Sequence, residues 1–172
     1  MTNARPIPTP HAPRVRGLTR LSPVLFLDFD GVVHPYNPLA VESSGGNQSK
    51  LAAFCWLPLL IDALAEHPAV RIVVTSDWRH FSDDGKLRDH LGALAPRFAG
   101  TTGLTMGFTR ADYIREVVEL NALDFWCALD DDASVRKAAV EEGRFIGCDS
   151  AIGISEPRVQ VAIAKWLSRV PR

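Results

Sequence analysis

Three short apolar runs, each ending abruptly in side chains capable of chemistry, constrain this chain more than any other feature. The first is Val24-Leu25-Phe26-Leu27, followed by Asp28-Phe29-Asp30-Gly31. A second, over 70–74, ends in Thr75-Ser76-Asp77-Trp78-Arg79, and a third, over 125–129, ends in Asp130-Asp131-Asp132. Continuous apolar runs of strand length, rich in branched and aromatic residues, read as strands buried on both faces, the habit of parallel sheets. Helical patterns alternate with them. Strand-helix alternation implies βαβ units, so the expected fold is α/β, a three-layer α/β/α Rossmann-like arrangement around a mainly parallel sheet. In such sheets the C-terminal ends of the strands converge on one crevice.

The remaining elements follow from spacing. A helix is expected over 49–66, with Leu51, Phe54, Cys55, Leu59, Ile61, Leu64 and Ala65 as its apolar face and Pro58 kinking it near Trp56. Asp83 or Asp84 can start the next helix, which Pro96 stops, and residues 97–107 read as a short edge strand or a loop. Thr109 can cap a helix over 110–120 with Ile114, Val117, Val118 and Leu120 inward. A helix over 134–142 leads through Gly143 to a strand over 144–148. Ser155 is expected to cap the last helix, whose core face is Val161, Ile163, Ala164 and Leu167. Residues 34–50, dense in Pro, Gly, Asn and Ser, form a loop long enough to act as a lid or binding loop.

Residues 1–20 carry four prolines and four arginines beyond residue 4 and no acid, a composition that predicts a flexible basic tail ahead of a single domain over 21–172. With 172 residues and 47% apolar content, that domain can bury a real core. A net charge of −1 provides no whole-chain argument for binding nucleic acid or membrane. No segment reaches the ~18 uninterrupted apolar residues of a membrane span. Cys55, Cys127 and Cys148 sit in apolar surroundings without ligand spacing, as reduced, buried thiols of a cytoplasmic protein do.

The acids of the first run carry the chemistry. A strand period of two puts Asp28 and Asp30 on one side of the chain, and two crowded carboxylates call for a cation or a shared proton. Asp30-Gly31 also suits a hairpin turn, and the acids could cap a helix. A calcium loop fails, because Phe26 falls where its first ligand belongs and Asn37 where its bidentate Glu belongs. Of the five histidines, His34 alone lies close enough in sequence to the acids to touch a substrate.

Taken in order, these residues resemble the motifs of the haloacid dehalogenase (HAD) superfamily of aspartate-nucleophile phosphohydrolases. Leu27-Asp28-Phe29-Asp30-Gly31-Val32 is similar to motif I, Thr75-Ser76 to motif II, Arg110 to motif III and Asp130-Asp131 to motif IV. The resemblance spans about residues 23–150. It implies that Asp28 attacks phosphorus to form an aspartyl-phosphate and that Asp30 protonates the leaving oxygen, then activates water. It implies Mg²⁺ held by Asp28, the Asp30 backbone carbonyl, Asp130 and Asp131, with Thr75 and Arg110 contacting the phosphoryl group. Ser76 is the alternative to Thr75, and Lys86 a less favoured rival of Arg110. Asp132 is expected to cap the following helix. A Ser/Thr-rich string ending in Trp-Arg is found in a small subset of HAD-like phosphatases, so Trp78 and Arg79 are candidates for substrate contact, with plain packing and ion pairing as the other reading.

The short spacings between motifs leave no room for a large lid domain, which implies a capless or minimally capped member with an open crevice. Such a site suits a phosphorylated substrate of any size: a small metabolite, a nucleic-acid end or a phosphoprotein. No obligatory protein partner and no membrane are implied. The leading expectation is a Mg²⁺-dependent phosphomonoester hydrolase. A nucleic-acid 3′-phosphatase and a non-catalytic receiver-like binding module are the alternatives, the last disfavoured because receivers place their acidic pair on the first strand.

Overall fold

The structure is a computed structural model that describes residues 10–36 and 53–171. Its centre is a six-stranded sheet built from β1 (Arg14–Val15), β2 (Val24–Leu27), β3 (Arg71–Val74), β4 (Phe98–Thr101), β5 (Trp126–Asp130) and β6 (Phe145–Gly147), in the order β1-β4-β3-β2-β5-β6. All neighbours from β4 to β6 pair in parallel, and β1 alone runs antiparallel, against β4. The α-helices among the described residues are α1 (Leu57–Leu64), α2 (Asp84–His90), α3 (Arg110–Asn121), α4 (Ala133–Glu141) and α5 (Pro157–Leu167). Apolar side chains cover the two faces of the sheet as separate clusters. Leu25, Leu27, Ile72 and Leu129 pack with α1, α2 and α5, while Phe26, Val73 and Ala128 pack with α3 and α4. The expected α/β/α layering is therefore present.

Every residue of β2 and β5 is buried, which is why β2, and β5 up to Leu129, read as unbroken apolar runs. The chain builds β3 and β4 on one side of β2, then returns to build β5 and β6 on the other. The order therefore reverses at β2, the place where open sheets bind ligands.

Several expectations need correction. The basic stretch before residue 20 is not wholly a tail: Arg14 and Val15 pair with Thr101 and Gly100. Gly100 permits this, since its φ is +134° and a Cβ there would lie 1.8 Å from the Arg14 carbonyl oxygen. Arg14 also bridges to Asp84 at 2.8 Å. β1 thereby makes β4 an interior strand, settling the 97–107 stretch that composition left open. Residues 1–9 and 37–52, which hold most of the expected 34–50 loop and the start of the 49–66 helix, lie outside the described residues.

The helix that follows starts only at Leu57, so Pro58 stands in its first turn, where its missing N–H breaks no hydrogen bond, and does not kink it. Ser155 lies in a short 3₁₀ turn and Glu156 occupies the N-cap of α5. That rotation buries Val159, Ile163 and Leu167 and leaves Val161 and Ala164 outside. Leu120 is exposed on α3. Cys127 and Cys148 are buried free thiols, whereas Cys55 is exposed. No helix among the described residues is long and apolar enough to cross a membrane.

Candidate active site

Register builds the site. Leu27 of β2 stands opposite Val74 of β3 and Leu129 of β5, so the next residue on each strand, Asp28, Thr75 and Asp130, emerges in one row. The backbone continues the ladder through that row: Asp28 N–H donates to the Leu129 carbonyl and Thr75 N–H to the Leu27 carbonyl. Beyond Asp28 the chain leaves the sheet in a tight turn. Gly31 has φ +71°, its N–H donates to the His34 carbonyl, and Val33 N–H reaches back to Phe29. Asp30-Gly31 is thus a turn, but it does not join two strands of a hairpin.

Asp28, Asp130 and Asp131 each bring one carboxylate oxygen to within 4.8 Å of the others. Asp28 and Asp130 are buried and Asp131 is half-buried. Burial pushes the Asp28 carboxyl up to about 6, with Arg110 pulling the other way. Burial and then the nearby Asp28 push Asp130 up to about 7, and burial with Asp130 pushes Asp131 up to about 6. Three acids crowded into low dielectric with one cation beside them are a poor arrangement for the protein alone and a good one for a hard divalent cation.

Among the described residues, the cation paired with these acids is Arg110, at the first position of α3 after a Thr109–Asp112 capping box. Its Nη1 lies 3.3 Å from Asp130 Oδ2 and 3.5 Å from Asp28 Oδ1, and its Nη2 donates to Asp77 Oδ1 at 2.9 Å. Burial works against its charge, yet Asp130, Asp28 and Asp77 together raise its pKa further. Thr75 donates its hydroxyl to Asp130 Oδ2 at 2.8 Å, and Asp28 Oδ1 accepts the Phe29 N–H at 2.8 Å. Ser76 is fully buried and caps the 3₁₀ turn Asp77–His80 by accepting from Trp78 N–H. Asp132 caps α4 by accepting from Ser134 N–H.

The Asp30 side chain stands outside the acidic trio. Its Oδ1 is 2.8 Å from His34 Nε2, and its Oδ2 accepts from Trp78 Nε1 at 2.8 Å. His34 and Arg79, both candidates for substrate contact, are 1% and 3% exposed, with their polar atoms engaged inside the protein. His34 meets Asp30 instead. Arg79 donates to the carbonyls of Thr75 and Gly103 and lies over the Tyr113 ring at 5.4 Å, so it braces the turn after β3. Lys86 is at the surface, paired with Asp83.

One residue was missed by sequence reasoning. Asp77 ties Arg110, Arg79 and His80 together on the crevice rim. Its place two residues past Thr75, inside the same polar string, was the available signal.

A parallel sheet whose order reverses beside an aspartate-tipped strand, with a hydroxyl and a second acidic tip in register, is the core of the HAD superfamily. Residues 24–159 match the family described as the HAD domain in Swiss Army Knife RNA repair proteins, and the chain belongs to it. That membership supports a hydrolase acting on phosphate esters. No curated protein and no solved structure matches the chain.

Proposed function

We propose that the chain is a Mg²⁺-dependent phosphomonoester hydrolase that uses Asp28 as nucleophile and acts on phosphorylated ends of RNA. The observation carrying this reading is the trio Asp28, Asp130 and Asp131, gathered within 4.8 Å at the switch point of the sheet. The donor set fits Mg²⁺, since all three ligands are hard oxygens and two of them are buried without enough positive charge. Asp28, Asp130 and Asp131, with the Asp30 carbonyl, would hold the ion, which supplies positive charge that lets an anionic phosphate approach a carboxylate.

The protein's own groups then divide the work. Asp28, oriented by the Phe29 N–H on Oδ1, presents its other oxygen to phosphorus. The new O–P bond forms as the bond to the leaving oxygen breaks, and Asp30 passes a proton to that oxygen. In the second half Asp30 takes a proton from water as the water oxygen attacks phosphorus, freeing phosphate and restoring the Asp28 carboxylate. Thr75 and Arg110 border the place where charge develops on the phosphoryl oxygens.

The family description, a HAD domain found in RNA repair proteins, supports this substrate class. Incubating the protein and Mg²⁺ with 3′- and 5′-phosphorylated oligoribonucleotides, sugar phosphates, nucleotides and phosphopeptides tests it. Release of phosphate from RNA ends, abolished in Asp28→Asn, is the expected result. Turnover confined to small metabolites would overturn the substrate assignment, and full activity in Asp28→Asn the nucleophile assignment.

A further inference from the structure

Asp30 is gripped from both sides before any substrate arrives. The Trp78 indole donates to Oδ2 and His34 Nε2 meets Oδ1, each at 2.8 Å. An indole N–H can only donate, so Oδ2 always turns an unprotonated lone pair toward it. The indole is itself immobilised: Phe29 and Phe54 meet it edge to face with centroids 5.7 Å away, and His90 does so at 5.0 Å. Phe54, which closes this aromatic box, has φ +59°, a conformation rare for a bulky residue and held here by contacts with Phe29, His34, Trp78 and His90.

The Asp30 side chain nonetheless remains 28% exposed. A carboxyl torsion is broad and twofold, so the orientation of a part-exposed aspartate beyond a strand end is set by its hydrogen-bond partners, here Trp78 and His34. An indole N–H taken out of water needs an acceptor, and the acceptor of Trp78 is the side chain of Asp30.

We propose that Trp78 is a positioning residue for Asp30, pinning one carboxyl oxygen so that the proton is delivered to the leaving oxygen from a fixed place. The inference rests on the reading of Asp30 as general acid and base. A positioned acid contributes ~10²–10⁴ in rate, most for leaving groups that depart poorly without a proton. The test compares kcat/KM, which reports the first transfer to Asp28, for a dinitrophenyl phosphate and for an alkyl or ribosyl phosphate.

In Trp78→Phe the alkyl substrate should lose at least ~10-fold, while the dinitrophenyl substrate changes by less than about twofold. Equal losses on both substrates, or no loss on either, would overturn the inference. Asp30→Ala separates it from its parent: an unchanged leaving-group dependence there removes Asp30 as the acid, whereas a steepened one, with Trp78→Phe unaffected, removes only the role of Trp78. A second readout does not depend on Trp78→Phe folding. Of the four indole N–H resonances, one should move upfield and exchange faster in Asp30→Ala, and four unmoved resonances would overturn the contact itself.

Discussion

Gly31 and Asp131 occupy each other's only available space: a Cβ on Gly31 would lie 2.2 Å from Asp131 Oδ2 and 3.0 Å from the Ser150 Cα. The glycine also holds φ +71°. Gly31→Ala therefore carries two penalties, backbone strain on the order of 1–3 kcal/mol and displacement of one acid of the trio. The expected result is a folded protein with a lowered Tm, weakened Mg²⁺ binding and little turnover. Calorimetry and titration with Mg²⁺ check it, and wild-type binding would refute it.

Arg110 is the cation nearest to both Asp28 and Asp130. Arg110→Ala leaves buried carboxylates without their partner, a loss that typically costs about 3–5 kcal/mol. In metal-free buffer its denaturation midpoint should fall clearly below that of the wild type, and kcat/KM should drop by roughly 10²–10³, the scale of one lost charge-stabilising donor. Arg110→Lys should recover little, since one ammonium cannot reach Asp130 and Asp77 together as the planar fork does.

Mg²⁺ should stabilise the protein by mass action, about 2.7 kcal/mol at a hundredfold excess over Kd. Asp130→Asn should remove most of that gain, and chelation should return the wild type to its metal-free Tm. Thermal shifts with Mg²⁺ and with chelator measure both. An equal Mg²⁺ shift in Asp130→Asn would exclude the trio as the binding site.

His80, beside Asp77 on the rim, supplies a pH signature separate from the Asp28–Asp130–Asp131 trio. Burial, and then the neighbouring Arg79, depress its pKa from 6.5 to about 4. The unfolded chain then binds a proton that the folded one refuses, so its contribution is present above pH 6.5 and is lost as pH falls toward 4. Urea midpoints at pH 7 and pH 4.5 should differ less in His80→Gln than in the wild type. An identical difference would show that His80 carries none of the acid sensitivity.

Deleting residues 1–20 should do more than trim a tail. β1 would be lost, the β4 edge uncovered, and the Arg14–Asp84 bridge removed. Lower stability and a greater tendency to aggregate are expected, measured by denaturation and light scattering. Wild-type behaviour of the truncated chain would mean that β1 contributes nothing.

The parts of this protein legible in its sequence are those governed by local rules. Buried parallel strands are predominantly apolar, so β2, β3 and β5 announced themselves, and the polar residues at their C-terminal ends, Asp28, Thr75 and Asp130, were the obvious candidates. Thr109 and Asp132 were readable as caps because a cap acts within three residues. Arg14–Val15 had no such signature: two residues have no period, and their strand exists only because Gly100, 85 positions later, leaves room for it.

The roles of the residues around Asp30 were likewise undecided until the chain folded. Trp78 is 48 positions from Asp30, and nothing in the Trp-Arg string says which of the two side chains turns inward or where an indole N–H will point. The residue types and their order at the strand ends come from the sequence alone, through burial and periodicity. Which carboxylate meets which donor was decided by strand register and side-chain packing, interactions between segments that no local pattern encodes.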